Sequence, residues 1–155
     1  MYQTLLVPLD GSPRAESILP HVENLATRFK AKVIFIQVVE PPLQFVNPSF
    51  YETTIQTDVI HEHLMDFKRK QEDITAYLAS IQDGFQKKGI DSRIIVELGP
   101  AVDTIISVAQ REKVDLIAVA SHGRTGMSRV FYGSVTAGIM QKIDRPILII
   151  RTRNI

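Results

Sequence analysis

Short apolar runs rich in β-branched residues alternate along this chain with segments whose apolar residues recur every three or four positions. Few folds accept that alternation. Thr4-Leu5-Leu6-Val7-Pro8-Leu9 is a buried strand stopped by Asp10-Gly11-Ser12-Pro13, a turn and helix start with Ser12 as cap and Pro13 at the first helical position. Ala15, Ile18, Leu19, Val22, Leu25, Ala26 and Phe29 form one helical stripe, with Pro20 as a kink inside it. Lys32 to Val39 is a continuous apolar strand ended by Pro41-Pro42, and residues 41–57 read as a long loop. Ile60, Leu64, Phe67, Ile74, Leu78, Ile81 and Phe85 mark a long helix ending near Gly89. Strands follow at Ser92–Leu98, Asp115–Ala120 and Pro146–Ile150, separated by helices around Val102–Ala109 and Val135–Lys142. The order β-α-β-α-β-α-β-α-β implies right-handed crossovers and a parallel α/β sheet with helices on both faces.

At 155 residues the chain is the size of a single domain spanning residues 1–155, long enough to bury a core without staples. Eighteen Lys and Arg against 17 Asp and Glu leave a net charge of +1, which gives no reason to expect nucleic acid or an anionic membrane surface. The absence of cysteine excludes disulfides, thiolate catalysis and zinc–cysteine sites, and fits a reducing cytoplasm. No secretory leader is visible at Met1-Tyr2-Gln3-Thr4, and no apolar run approaches the ~20 residues of a membrane span.

In such sheets ligands bind outside the carboxyl ends of the strands, at the point where strand order reverses. Two of those ends carry chemistry. The stretch from Ala120 through Ser121, His122, Gly123 and Arg124 to Gly133-Ser134-Val135 leaves a strand and enters a helix. Free amides at a helix start favour an anion, glycine lets the backbone approach it closely, and Arg124 and Arg129 would supply charge. The alternative is a Gly-rich loop that only turns the chain. Dinucleotide and Walker-type phosphate motifs are absent, as is the Gly-x-Ser-x-Gly elbow. Asp10 reads as a ligand contact, a magnesium ligand or general base, or an organiser of its own turn. Ser121 and His122 are adjacent on a strand end and point apart, so they do not form a nucleophile–base pair. His61 and His63 are two apart on a helix and do not converge on a metal.

Val7-Pro8-Leu9-Asp10-Gly11-Ser12, Val38, and the Ser121-His122-Gly123 to Gly133-Ser134-Val135 segment together resemble the universal stress proteins, over the whole chain. The ATP-binding branch of that family carries Gly-x2-Gly-x9-Gly-Ser/Thr. Gly123 and Gly133, separated by nine residues and followed by Ser134, match its last two glycines, and Ala120 replaces the first. The resemblance implies strand order 3-2-1-4-5 and a site for ATP or AMP, with Mg2+ accompanying ATP. It places Asp10 beside the nucleotide with Pro8 and Leu9 on the same edge, and Val38 at the adenine. Val119 and Ala120 would flank the ribose, His122 and Arg124 would lie near the phosphates, and Gly123, Gly133, Ser134, Val135 and Thr136 would cradle them. The implied role is a stress-responsive regulatory nucleotide binder, with slow ATP hydrolysis or a nucleotide-free protein scaffold as alternatives. The family's strand order also puts Ile147–Ile150 at a sheet edge, with Arg151 and Arg153 following the strand. An unblocked apolar edge predicts a homodimer through antiparallel pairing of two copies.

Overall fold

The computed structural model describes residues 1–41, 57–123 and 132–153. The loop expected over residues 41–57 lies almost wholly outside that range. Strands β1 (Thr4–Pro8), β2 (Lys32–Val39), β3 (Ser92–Leu98), β4 (Leu116–Gly123) and β5 (Ile147–Arg153) form one sheet in the order β3-β2-β1-β4-β5. All four neighbouring pairs are parallel. The helices are α1 (Pro13–Glu16), α2 (Leu19–Phe29), α3 (Thr57–Lys87), α4 (Ala101–Arg111) and α5 (Ser134–Lys142).

The central strand explains why the sequence patterns read as continuously apolar. Leu5, Leu6 and Val7 are all fully buried because helices cover both faces. Leu5, Val7 and Phe35 pack into one apolar layer with Val22 of α2 and Ile74, Leu78 and Phe85 of α3. Leu6, Ile34, Ile36 and Ile117 pack into the other with Ile105 and Val108 of α4 and Ile139 of α5. Phe35 and Phe85 meet edge to face with centroids 4.9 Å apart.

Three local expectations change. The first helix is two helices rather than one kinked at Pro20: α1 closes at Ser17, and Pro20 sits in the first turn of α2. A proline there needs no intrahelical amide, whereas in a continuous helix it would have lacked the bond to Glu16. Phe29, at the end of the expected buried stripe, is 38% exposed and rests edge-on against Tyr2 instead. Strands β4 and β5 run three residues further than their apolar runs, pairing Ser121 with Arg151, His122 with Thr152 and Gly123 with Arg153. Arg151 and Arg153 therefore lie within the edge strand and not after it. The backbone ladder carries the pairing past the point where side-chain burial ends.

Helix α3 packs mainly through its second half, since Leu64 and Met65 near its start are about half exposed. It ends as expected, with Gly89 at φ +77° and the amide of Ile90 donating to the Phe85 carbonyl at 3.1 Å. No helix among the described residues is long and apolar enough to cross a membrane.

Candidate functional site

The chain leaves β1 toward β2 and β3 on one side, then returns to build β4 and β5 on the other, so strand order reverses between β1 and β4. The two strands pair only at Leu5–Leu116 and Leu6–Ile117. Beyond that they separate, and Pro8 supplies the reason. The amide of Leu9 donates to Ile36 of β2 at 2.8 Å, and the carbonyl of Thr4 accepts from Asp115 beside β4. Backbone groups of even-numbered β1 residues thus face β4. Proline at position 8 removes the donor that would have continued the ladder there.

A cleft of about 360 Å³ opens at this divergence, within the range of small-molecule sites. Pro8, Leu9, Asp10, Val38, Val119 and Ala120 line it from the strand ends, and Gly133, Ser134, Val135 and Thr136 from the start of α5. Ten of the thirteen residues singled out in the sequence therefore converge on one space. His122 and Gly123 lie at the carboxyl end of β4, and Arg124 falls outside the described residues.

The two loops that frame the cleft are built differently. On the β1 side, Asp10 Oδ1 accepts from both the amide and the hydroxyl of Ser12, at 2.9 and 2.6 Å. Ser12 Oγ in turn accepts from the Ala15 amide at 3.1 Å and caps α1. Gly11, at φ +82°, permits the turn. Asp10 thus organises its own turn through one oxygen and stands exposed at the cleft. On the β4 side, α5 begins at Gly133, which has φ 78° and ψ 155° and no side chain to cap the helix. The first-turn amides have no intrahelical acceptor, and they open onto the cleft with the positive end of the helix dipole.

Six further lining residues escaped the sequence reading: Ala15, Ile36, Glu40, Ala101, Ile105 and Tyr132. Glu40 follows β2 directly and Tyr132 precedes Gly133, so the strand-end rule alone would have found both. The rest are apolar residues whose role depends on packing. Helix α1 is tied to α3 across the sheet face, because the Tyr77 hydroxyl donates to Glu16 Oε1 at 2.8 Å. Burial, then the bond to Glu16 and the nearby charges of Glu16 and Asp10, push the Tyr77 hydroxyl well above the ordinary tyrosine range.

Ser121 is 1% exposed, and its hydroxyl has no hydrogen-bond partner among the described residues. Ser121 is not among the residues that line the cleft. No group of three His, Asp or Glu side chains among the described residues would hold a metal ion.

A model of the universal stress protein family matches residues 1–151. The universal stress protein MJ0577 of Methanocaldococcus jannaschii is 24% identical over 159 residues, covering 99% of this chain and 98% of that one. Its solved structure superposes with a TM-score of 0.79 at 25% identity, covering 99% of both chains. A universal stress protein solved in complex with cAMP shares the fold at a TM-score of 0.66 and 22% identity, covering 97% of both chains. One from Archaeoglobus fulgidus, in complex with dAMP, does so at 0.59 and 16%, covering 96% of this chain and 97% of that one. With the sheet order, the divergent β1–β4 cleft and the match along nearly the whole sequence in agreement, this chain belongs to the universal stress protein family.

Proposed function

We propose that the β1–β4 cleft binds an adenine nucleotide, ATP or AMP, and that the protein is a nucleotide-responsive regulator of the cellular stress response acting in the cytoplasm. One observation carries this reading: the uncapped start of α5 faces the Asp10 turn across an apolar slot at the sheet's switch point. Val38, Val119 and Ala120 offer apolar walls to a base and ribose, and Gly133 to Thr136 offer amides and a hydroxyl to phosphate. The nucleotides carried by the cAMP- and dAMP-bound relatives support the same ligand class here. Ala120, in place of the motif's first glycine, lines the cleft and also packs against the apolar layer beside α2 and α3.

The proposed role is binding, with any ATP hydrolysis slow. Asp10 is engaged with Ser12, and no nucleophile–base pair occurs among the described lining residues. Mg2+ would accompany ATP as part of the bound ligand. The chain has no tryptophan and only 4 tyrosines, so its own ultraviolet absorbance is weak. Protein purified without added ligand should show excess absorbance near 260 nm that heat or acid releases as adenine nucleotide. Absence of releasable nucleotide, together with no uptake of added ATP or AMP, would leave the scaffold reading in its place.

A further inference from the structure

The charges around the cleft are arranged by strand. Among the described lining residues the ionisable acids are Asp10 after β1 and Glu40 after β2, and no lysine or arginine lines the space. The free amides of α5 lie on the other side, next to β4 and β5. A nucleotide must turn its phosphates toward that second side, and beyond the α-phosphate it needs a cation that the described lining does not include.

Among the described residues, Arg151 is a cation that reaches that end through a residue lining the cleft. It lies in β5, opposite Ser121 of β4, and the adjacent Thr152 hydroxyl donates to the Ser121 carbonyl at 3.1 Å, which fixes the strand end. Its guanidinium carbon sits 5.6 Å from the centre of the Tyr132 ring, within cation–π reach. Tyr132 lines the cleft and immediately precedes Gly133. Arg151 is exposed and forms no ion pair among the described residues, so its charge is not spent on a described carboxylate.

We propose that Arg151, held at the cleft's rim by the Tyr132 ring, is a specificity-determining residue that reads phosphate number and favours ATP and ADP over AMP. This rests on the adenine-nucleotide reading of the cleft. The aromatic ring orients the guanidinium without neutralising it, so the side chain swings to a terminal phosphate at little cost. AMP, whose single phosphate is met by the α5 amides, gains nothing from it.

The test is isothermal titration of the full chain with ATP, ADP, AMP and adenosine, at two salt concentrations, on wild type, Arg151→Gln and Arg151→Lys. Arg151→Gln should bind ATP about tenfold more weakly, the size of one charge-assisted contact, with a shallower salt dependence. AMP and adenosine should change little, and Arg151→Lys should recover most of the preference for ATP. Equal affinity of Arg151→Gln and wild type for ATP would overturn the assignment. So would a parallel loss of ATP and AMP, which a general disturbance of the strand end would cause. A wild type that takes up none of the four overturns the nucleotide reading itself, an outcome distinct from either.

Discussion

Gly133 is the residue on which the site turns. Its φ of 78° and ψ of 155° belong to a region that side chains other than glycine's adopt only under strain of about 1–3 kcal/mol. Gly133→Val should therefore abolish nucleotide binding and also lower the melting temperature, and thermal unfolding beside titration separates the two effects. Ser134→Ala is the cleaner probe. Ser134 is exposed in the first turn of α5, and losing its hydroxyl should weaken binding by about 1 kcal/mol with stability unchanged. An unaltered affinity would remove that hydroxyl from the ligand's reach. Much of the site was legible at this scale because glycine, proline and cap residues report backbone geometry directly. Asp10-Gly11-Ser12-Pro13 announces a turn and a cap, and Gly133-Ser134 announces a helix start. Ile36, Ala101 and Ile105 were not legible, since an apolar residue looks the same whether it faces a core or a cleft.

Elements position these residues through a few contacts between distant parts of the chain. The Tyr77–Glu16 hydrogen bond ties α3 to the four-residue α1, which carries Ala15 at the cleft. Tyr77→Phe should cost about 1 kcal/mol at neutral pH, measured by denaturant unfolding. The Tyr77 hydroxyl is raised in the folded state, so the unfolded chain ionises first as pH climbs past the ordinary tyrosine value of about 10. Wild type should thus lose stability above that pH faster than Tyr77→Phe, by less than a full proton's worth because the side chain is only half buried. Identical pH profiles would show the group is not coupled to folding. On the opposite face, α4 and α5 approach at Gly138, where an added Cβ would lie 2.6 Å from Val102 Cγ2 and 3.2 Å from Cγ1. Rotating Val102 cannot clear both methyls, so Gly138→Ala should destabilise by about 1 kcal/mol despite alanine's helix preference. The elements themselves were foreseen from periodicity, and their misplaced ends have identifiable causes. Side-chain pattern marks where burial stops, whereas β4 and β5 stop where their backbone pairing does, and α1 and α2 divide where Pro20 can be accommodated.

Across the whole molecule, the sheet has two edges, and they differ. On β3, Arg93 pairs with Glu112 and Glu97 with Arg111, so charge from α4's end screens that side. On β5, the Pro146 carbonyl accepts from Ile117, so even-numbered residues bond to β4 and the backbone groups of Ile147, Ile149 and Arg151 face outward. That edge is apolar for four residues before its arginines, and we predict that two copies pair through it in antiparallel fashion. Sedimentation equilibrium at micromolar concentration should give about twice 17.4 kDa for wild type. Ile149→Pro, which removes an outward amide and no β4 bond, should shift it toward monomer. A wild-type mass near 17.4 kDa would show that the edge is closed otherwise. Isothermal titration of nucleotide-stripped protein with ATP and AMP decides whether this cleft holds an adenine nucleotide. Saturable heat with a single site per chain, lost in Gly133→Val, is the predicted result; no heat with ATP, ADP or AMP at millimolar concentration would contradict it.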